Sequence, residues 1–419
     1  MDNLLNLVNY KVGPFLLIVF LTPAAQYLVL LGNPSTRFGF DSLIGNSFSW
    51  KFIGVFIVWA LIWLKIPSKK FAGPAHDKGG VIFYQANGEI YYFATVTSFV
   101  LINCFNPSIS THIYENMGPI LATLNLIALL ICCHLMFQAK ASHHANKSLQ
   151  NNSSHPLIYQ FYHGLELSPR ILGVDVKQLT NCRVGMMLWQ ILILAFLFAR
   201  WNHQLLGFSN AHFDNVFLQS FYIYMFFRWE TGYFNTLDFT MDKTGWMLVW
   251  GCLVWIPSLY TFSSYFLVLN IPNLGLLVEG GMFILGLSAI WCHSEVDCQK
   301  ESFKNANGKK IKIWGQPAKT LEINYTNSEG IEKKSQLLIS GWWGIGRKMN
   351  YSFDIVSTLL WCLYAGFGNG VWPYACLIFV TILLIHRVFR DEERCRSKYE
   401  EGWKKYCSIV EYRMIPHIF

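Results

Sequence analysis

Charge is scarce in this chain. Asp, Glu, Lys and Arg make up only 14% of its 419 residues against 53% hydrophobic ones, and the mean hydropathy is positive at +0.31. A soluble globular domain carries roughly 25% charged residues, so this deficit excludes that class and leaves an integral membrane protein. The familiar catalytic loops are missing as well: no GxGxxG opens a helix after a strand, and GxxxxGK[ST], HExxH and the nucleophile elbow are absent. Gly341-Trp342-Trp343-Gly344-Ile345-Gly346 is glycine-rich but wrongly spaced, and its tryptophans would keep a pyrophosphate from the backbone. Any nucleotide must therefore bind outside a Rossmann framework. The eleven cysteines form no CxxC pair and have no His at metal spacing, so free thiols in a reducing setting are expected and no metal is. There is no internal repeat at fixed period, and the N-terminus lacks the ordered regions of a cleavable signal peptide, so the first apolar segment is expected to be a retained helix.

What is there begins with apolar stretches near the length needed to cross a hydrocarbon core. Ten are found, over 12–31, 48–66, 90–106, 119–137, 184–200, 213–227, 245–268, 274–292, 354–371 and 373–386. The sixth and the last two are short, which predicts tilted or broken helices covered by neighbours. Lys and Arg concentrate in the loops after the even-numbered segments, while the opposite loops hold little beyond Arg37 and Arg200. By the positive-inside rule those loops and both termini are cytosolic. The net charge of +8 is thus a topology signal, with anionic lipid or cofactor second and no nucleic-acid partner indicated.

The predicted architecture is an all-α integral membrane protein of about ten transmembrane helices, with a small cytosolic β-hairpin insertion between helices 8 and 9. It forms one polytopic domain over 1–419, with helices 1–4 and a cytosolic loop in 1–183 and the chemistry in 184–419. Residues 138–155 have no hydrophobic period and read as a flexible connection; His143-His144 and His155 there read as solvated loop rather than metal ligands. Residues 293–350 alternate polar and apolar around Ile311–Trp314 and Leu321–Tyr325, with Asn307-Gly308 and Glu329-Gly330 as turn signals, and predict one or two hairpins. Glu279, in the eighth segment, is a carboxylate at membrane depth and a functional candidate by default, although an end-of-helix position is favoured.

The last helix empties into a dense mixed-sign cluster, His386 to Tyr399, which is costly in lipid. Around it the cytosolic helix ends gather Lys300, Lys304, Arg347, Arg387, Arg390, Arg394 and Lys398 with Trp343, Tyr351, Tyr399 and Tyr406. Cations match phosphate oxygens and aromatic faces stack on planar rings. The same residues also suit a plain positive-inside rim with interfacial aromatics, and composition alone leaves both readings open.

Longer motifs separate them. His386-Arg387-x-x-Arg390-Asp391-x-x-Arg394-Cys395-x-x-Lys398-Tyr399, then Trp403, Tyr406 and Tyr412-Arg413-x-x-Pro416, resembles the C-terminal signature of the sterol reductases that saturate ring or side-chain double bonds. The blocks Tyr84-x-Ala86-Asn87-Gly88, Gly164 to Arg170, Trp314-Gly315 and Ser340 to Gly344 extend the likeness from about residue 80 to the end. Within that family, Thr180 to Met187, Trp229 to Asp238 and Trp250 to Thr261 look most like the plant type of Δ7-sterol (7-dehydrocholesterol) reductase.

The resemblance implies an NADPH-dependent oxidoreductase acting on a sterol carbon–carbon double bond, with sterol and membrane lipid as partners. It implies an endoplasmic reticulum location in a eukaryotic host or the inner membrane in a bacterium. Hydride does not add to an unactivated alkene, so an acid must protonate one carbon. The family's tyrosine and aspartate for this match Tyr222 and Asp391, assigned jointly because an aspartate needs burial or a relay to act as that acid. Each has a plainer reading: Tyr222 as an interfacial or core aromatic, Asp391 as an ion-pair partner of Arg390 or Arg394. The nucleotide site carries over to Lys300, Lys304, Leu338, Trp343, Asn350, Tyr351, Asp391, Cys395, Lys398, Tyr399 and Tyr406, with Arg387 and Arg394 among the basic groups for the phosphates. Glu230, Asp238 and Asp242 are expected near the site, as proton relays or as caps and ion pairs. Met225, Met241, Lys304 and Ser168 depart from the family's commoner aspartate, histidine, arginine and asparagine, which puts the bond reduced in question: Δ7 first, with Δ14, Δ24 or Δ24(28) as alternatives. Two further readings stay open, an isoprenylcysteine-type methyltransferase, for which Arg347 to Tyr351 has a related element, and a non-catalytic sterol-binding protein.

Overall fold

The computed structural model describes residues 6–75, 81–142, 155–306, 311–326 and 332–419. The chain divides into two compact units, Met1–Pro272 and Asn273–Phe419. Among its described residues the first holds seven long helices: α1 (Val8–Gly32), α2 (Ser47–Lys65), α3 (Gly88–Phe105), α4 (Met117–Ala141), α5 (Gln178–Trp201), α6 (Asn210–Arg228) and α7 (Trp246–Leu267). The second holds α8 (Leu276–Asn305), α9 (Met349–Gly366), α10 (Ala375–Tyr399) and the short α11 (Glu401–Ile409).

Eight of the long helices are long and apolar enough to cross a membrane. The other two, α6 and α9, coincide with the sixth and ninth expected crossings but carry polar groups: His212, Asp214, Asn215 and Gln219 on α6, Asn350, Asp354, Ser357 and Thr358 on α9. On α6 three of these side chains are buried inside the unit, which is the only place a crossing helix can keep them at tolerable cost. The result is an all-α integral membrane protein. Large apolar side chains such as Phe105, Leu130, Leu277 and Ile382 face outward, as lipid contact requires.

Within the first unit α5 is the centre. Its most apolar stretch is 89% buried, against 28% for α1 and for the span that contains α2, so α5 is wrapped on every side by protein while the outer helices meet lipid. The first turns of α5, Gln178–Gly185, and the segment Gly251–Tyr260 of α7 are wound as wider π-helix, the latter containing Pro257. The two wide segments touch at Gly185, where a Cβ would stand 2.5 Å from the Cys252 carbonyl oxygen. Among the described residues the departures from α pitch thus lie in the fifth and seventh segments, and at the start of α1 over Val8–Val12, rather than in those that look short. At the start of α2, Asn46 accepts from the Ser49 backbone N–H while the Ser49 hydroxyl accepts from the Asn46 N–H, a reciprocal cap.

Among the described residues four two-stranded antiparallel hairpins decorate the helices: β1 (Lys70–Ala75) with β2 (Val81–Gln85), β3 (Arg170–Ile171) with β4 (Val174–Asp175), β5 (Lys312–Ile313) with β6 (Gln316–Pro317), and β7 (Thr320–Thr326) with β8 (Glu332–Leu338). The last two are the expected insertion between the eighth and ninth long helices. The turn signals Asn307-Gly308 and Glu329-Gly330, and His143-His144, lie outside the described residues. The first two hairpins were not legible, because β1 contains Gly73 and Pro74 and shows no period-two pattern and β3 and β4 are two residues each. In β7 the alternation is plain: Leu321 and Ile323 turn inward onto Trp403, Tyr406 and Val410. Gly402 lets them close, since a Cβ there would lie 2.1 Å from Ile323 Cγ2. All eleven cysteines are free thiols, in keeping with the sequence reading.

Candidate functional site

In the second unit the basic and aromatic residues singled out from sequence converge at one end of α8, α9 and α10. On α8, residues 293, 297, 300 and 304 recur at helical spacing and so share a face. His293 Nε2 stands 3.9 Å from Asp297 Oδ2, and the Lys300 ammonium sits 4.2 Å from the centre of the Trp343 ring. Trp343 is buried with Leu338, Val296 and Met349 and donates its indole N–H to the Val296 carbonyl at 2.8 Å. The turn that delivers it depends on Gly341, whose φ of +62° and lack of a Cβ let the next residue, Trp342, donate its backbone N–H to Gln299 Oε1 at 3.0 Å. The glycine-rich Gly341–Gly346 run is therefore a docking turn against α8.

Two consecutive cations at the start of α9 face two consecutive carboxylates on α10. Arg347 is buried and donates from Nε and Nη2 to Glu392 Oε1 at 3.1 and 2.7 Å, while Arg413 Nε donates to Glu392 Oε2 at 2.8 Å. Backbone bonds from Arg347 N–H to the Tyr412 carbonyl and from Lys348 N–H to the Arg413 carbonyl tie the C-terminal segment to this turn. Next to it, Lys348 forms an ion pair with Asp391. Burial alone would lower the Lys348 pKa, but the Asp391 carboxylate outweighs it and the value is raised above the ordinary 10.5. The partner expected for Asp391 was Arg390 or Arg394; the structure gives it Lys348, with Lys300 and Arg394 as further charge neighbours. Lys348 is thus a candidate site residue that sequence reasoning passed over as part of a different motif.

The remaining members fall around this core. Asn350 donates its amide N–H to Asp297 Oδ1 at 3.1 Å, and its own Oδ1 is buried without a hydrogen-bond partner. Tyr351 is half-buried under the Lys348 ammonium. Arg387, Asp391, Cys395 and Lys398 share a stripe of α10, the first three half-buried; Arg394 and Lys398 are exposed, and Lys398 lies 4.8 and 4.9 Å from the rings of Tyr325 and Tyr399. Lys304 is exposed at the end of α8. Leu338 and Tyr406 are core residues, Tyr406 stacked on Trp403, so they shape the wall of the site from behind. Burial also pushes the Tyr406 hydroxyl pKa upward.

A model of the ergosterol biosynthesis ERG4/ERG24 family matches residues 6–419. The chain belongs to that family of sterol reductases. It is 36% identical over 378 residues to 7-dehydrocholesterol reductase of Arabidopsis thaliana, covering 88% of this chain and 85% of that one. The 7-dehydrocholesterol reductase of Danio rerio is 30% identical over 435 residues, 97% and 89% of the two chains. A Delta(14)-sterol reductase of Methylotuvimicrobium alcaliphilum is 30% identical over 378 residues, 88% and 84%. The methyltransferase reading falls with this assignment.

In this sterol reductase family member Tyr222 belongs to the first unit and Asp391 to the second. Tyr222 is half-buried on α6, its ring 5.9 Å from that of Trp189 on the central helix. Trp189 is held by its N–H on Gln219 Oε1 at 2.8 Å, and Gln219 in turn donates to Asn215 Oδ1 at 2.7 Å. The polar face of α6, at i, i+3 and i+7, thus braces the helix that carries Tyr222. Met225 lies half-buried one turn further and Met241 is exposed. Glu230 is an ion-pair residue: it is buried against Arg183, which also donates to Asn87 Oδ1 at 2.8 Å. The backbone carbonyls of Asp238 and Asp242 accept from the Lys177 ammonium. Glu279 sits in the first turn of α8, at a helix end as favoured, with its carbonyl accepting from the Tyr364 hydroxyl at 2.9 Å.

Proposed function

We propose that the protein is an NADPH-dependent reductase that saturates one carbon–carbon double bond of a sterol, Δ7 before the others. The observation that carries the nucleotide part is the donor set of the second unit. Lys300, Lys304, Lys348, Arg394 and Lys398 supply ammonium and guanidinium groups for phosphates, including the 2′-phosphate that separates NADPH from NADH. The buried, unpartnered Asn350 Oδ1 supplies an acceptor that a bound molecule would satisfy. When bound, NADPH provides the hydride that the substrate cation takes up. The chain provides the proton and the dry, oriented setting. An ion-paired Asp391 is an acceptor with no proton of its own to give, so the proton reaches the alkene carbon from the Tyr222 hydroxyl; the tyrosinate is then reprotonated by water, with Asp391 assigned as the acceptor group of that relay. The sterol enters from lipid, the site opens to the cytosol and both termini lie on that side. The membrane is the endoplasmic reticulum in a eukaryotic host and the inner membrane in a bacterium.

Preference for Δ7 rests on the Arabidopsis relative; the Methylotuvimicrobium relative supports Δ14 as the second choice. The test is mass spectrometry of products after the purified protein is given NADPH and a panel of Δ7, Δ14, Δ24 and Δ24(28) sterols. Reduction at Δ7 alone supports the reading, reduction elsewhere moves the specificity, and no reduction of any panel member refutes it.

A further inference from the structure

Asp297 is a carboxylate in the body of a membrane helix that no step above employs. Its setting is specific. Oδ1 accepts from Asn350 Nδ2 at 3.1 Å, Oδ2 faces His293 Nε2 at 3.9 Å, and Lys300 and Lys348 are its charge neighbours. The hydrogen bond between the two side chains runs from the Asn350 amide N–H to Asp297 Oδ1, which accepts it. The Asn350 amide therefore has one permitted orientation: NH2 toward Asp297, carbonyl oxygen away from it. That oxygen is the atom left buried and without a partner. A buried acceptor with no donor is costly unless a ligand completes it.

Resting on the reading of this site as a nucleotide site, we infer that Asp297 is a positioning residue that locks the Asn350 amide so that its carbonyl oxygen reads a neutral hydrogen-bond donor of the dinucleotide, an amide N–H or a hydroxyl. A phosphate is excluded from this corner, because Asn350 Oδ1 and the Asp297 carboxylate are both acceptors and would repel its oxygens. The phosphates go instead to Lys300, Lys348 and the α10 cations. The site is thus divided into a cationic part that binds charge and an acceptor corner that recognises shape.

The experiment uses the full chain in detergent, with NADPH binding, KM for NADPH, kcat and thermal stability measured together. Asp297→Ala is expected to weaken NADPH binding and raise its KM about tenfold, with kcat at saturation retained. Asp297→Asn, which keeps an acceptor oxygen of the same shape, is expected to recover most of that loss. A packing role alone would lower thermal stability without this split between KM and kcat. The reduced 3-acetylpyridine analogue of NADP, which lacks the amide N–H, distinguishes the donors. If the Asp297→Ala penalty vanishes with the analogue the donor is the carboxamide, and if it persists the donor is a ribose hydroxyl. Wild-type protein that binds NADPH alongside an Asp297→Ala variant that binds it equally well would overturn the inference alone. A wild-type protein that binds no NADPH would overturn the nucleotide reading and this inference with it.

Discussion

Among the described residues each unit contains an acid–base pair whose charges would be costly in lipid, Arg183–Glu230 in the first and Lys348–Asp391 in the second, and the two are treated in opposite ways. Arg183 and Glu230 in the first unit are sealed off: Arg183 is 0% exposed and Glu230 3%, and Asn87 and the Tyr91 ring also lie against the guanidinium. Lys348 and Asp391 in the second unit keep 12% and 17% of their side-chain surface exposed, are set among further cations, and stand beside the Arg347–Glu392–Arg413 group. The difference teaches how to separate a structural charge from a working one. A charge closed off from solvent against a partner of opposite sign holds the fold, whereas a charge that keeps a face to solvent next to a rigid, buried neighbour is placed for something that arrives later.

The comparison breaks first at the proton. Tyr222→Phe and Asp391→Asn are each expected to lower turnover by about a hundredfold to ten-thousandfold, with NADPH binding largely kept; reduction surviving both changes would end the assignment of that pair. Arg183→Ala is expected to cost about 3–5 kcal/mol of stability by stranding the buried Glu230 carboxylate, read as loss of monodisperse protein in detergent. Equal stability of that variant would show that the sealed pair is dispensable. A smaller effect distinguishes the pairs by pH. Because the folded pKa of Lys348 is raised above the ordinary 10.5, the stability its ion pair adds is fully present below that value and lost only as pH climbs through the higher folded one. Melting temperature is therefore expected to stay flat on this account from neutral pH to about 10; a decline already at pH 8 would contradict it. Smallest is the exposed pair Lys404–Glu401, 71% and 83% exposed, where Lys404→Ala is expected to change stability by less than about 1 kcal/mol.

Much of this arrangement was legible in the chain. Periods of about 20 apolar residues locate ten long helices, and alternation locates β7, because both patterns are local. The stripe Arg387, Asp391, Cys395 and Lys398 was legible for the same reason. The partner of Asp391 was not, since Lys348 is brought to it by a turn fixed through Gly341 and through backbone bonds to Tyr412 and Arg413, contacts remote in sequence. Asp297 was missed although a signal existed: a carboxylate three residues before Lys300 on one face of a membrane helix. Glu230 was left between relay and ion pair because its partner Arg183 lies 47 positions away. The π-helical segments escaped entirely, for a hydropathy profile does not register a change of pitch.

Gly402 shows what such packing means for the chain's future. Because the hairpin meets α11 at a point with no room for even one methyl group, the position is closed to drift while the hairpin's outer face, Glu322, Asn324 and Gln336, is free to vary. A library that randomises residues 320–338 and 402 together would recover glycine at one position and nearly anything at the outer ones. The extramembrane surface can thus diverge between hosts around a single fixed pivot.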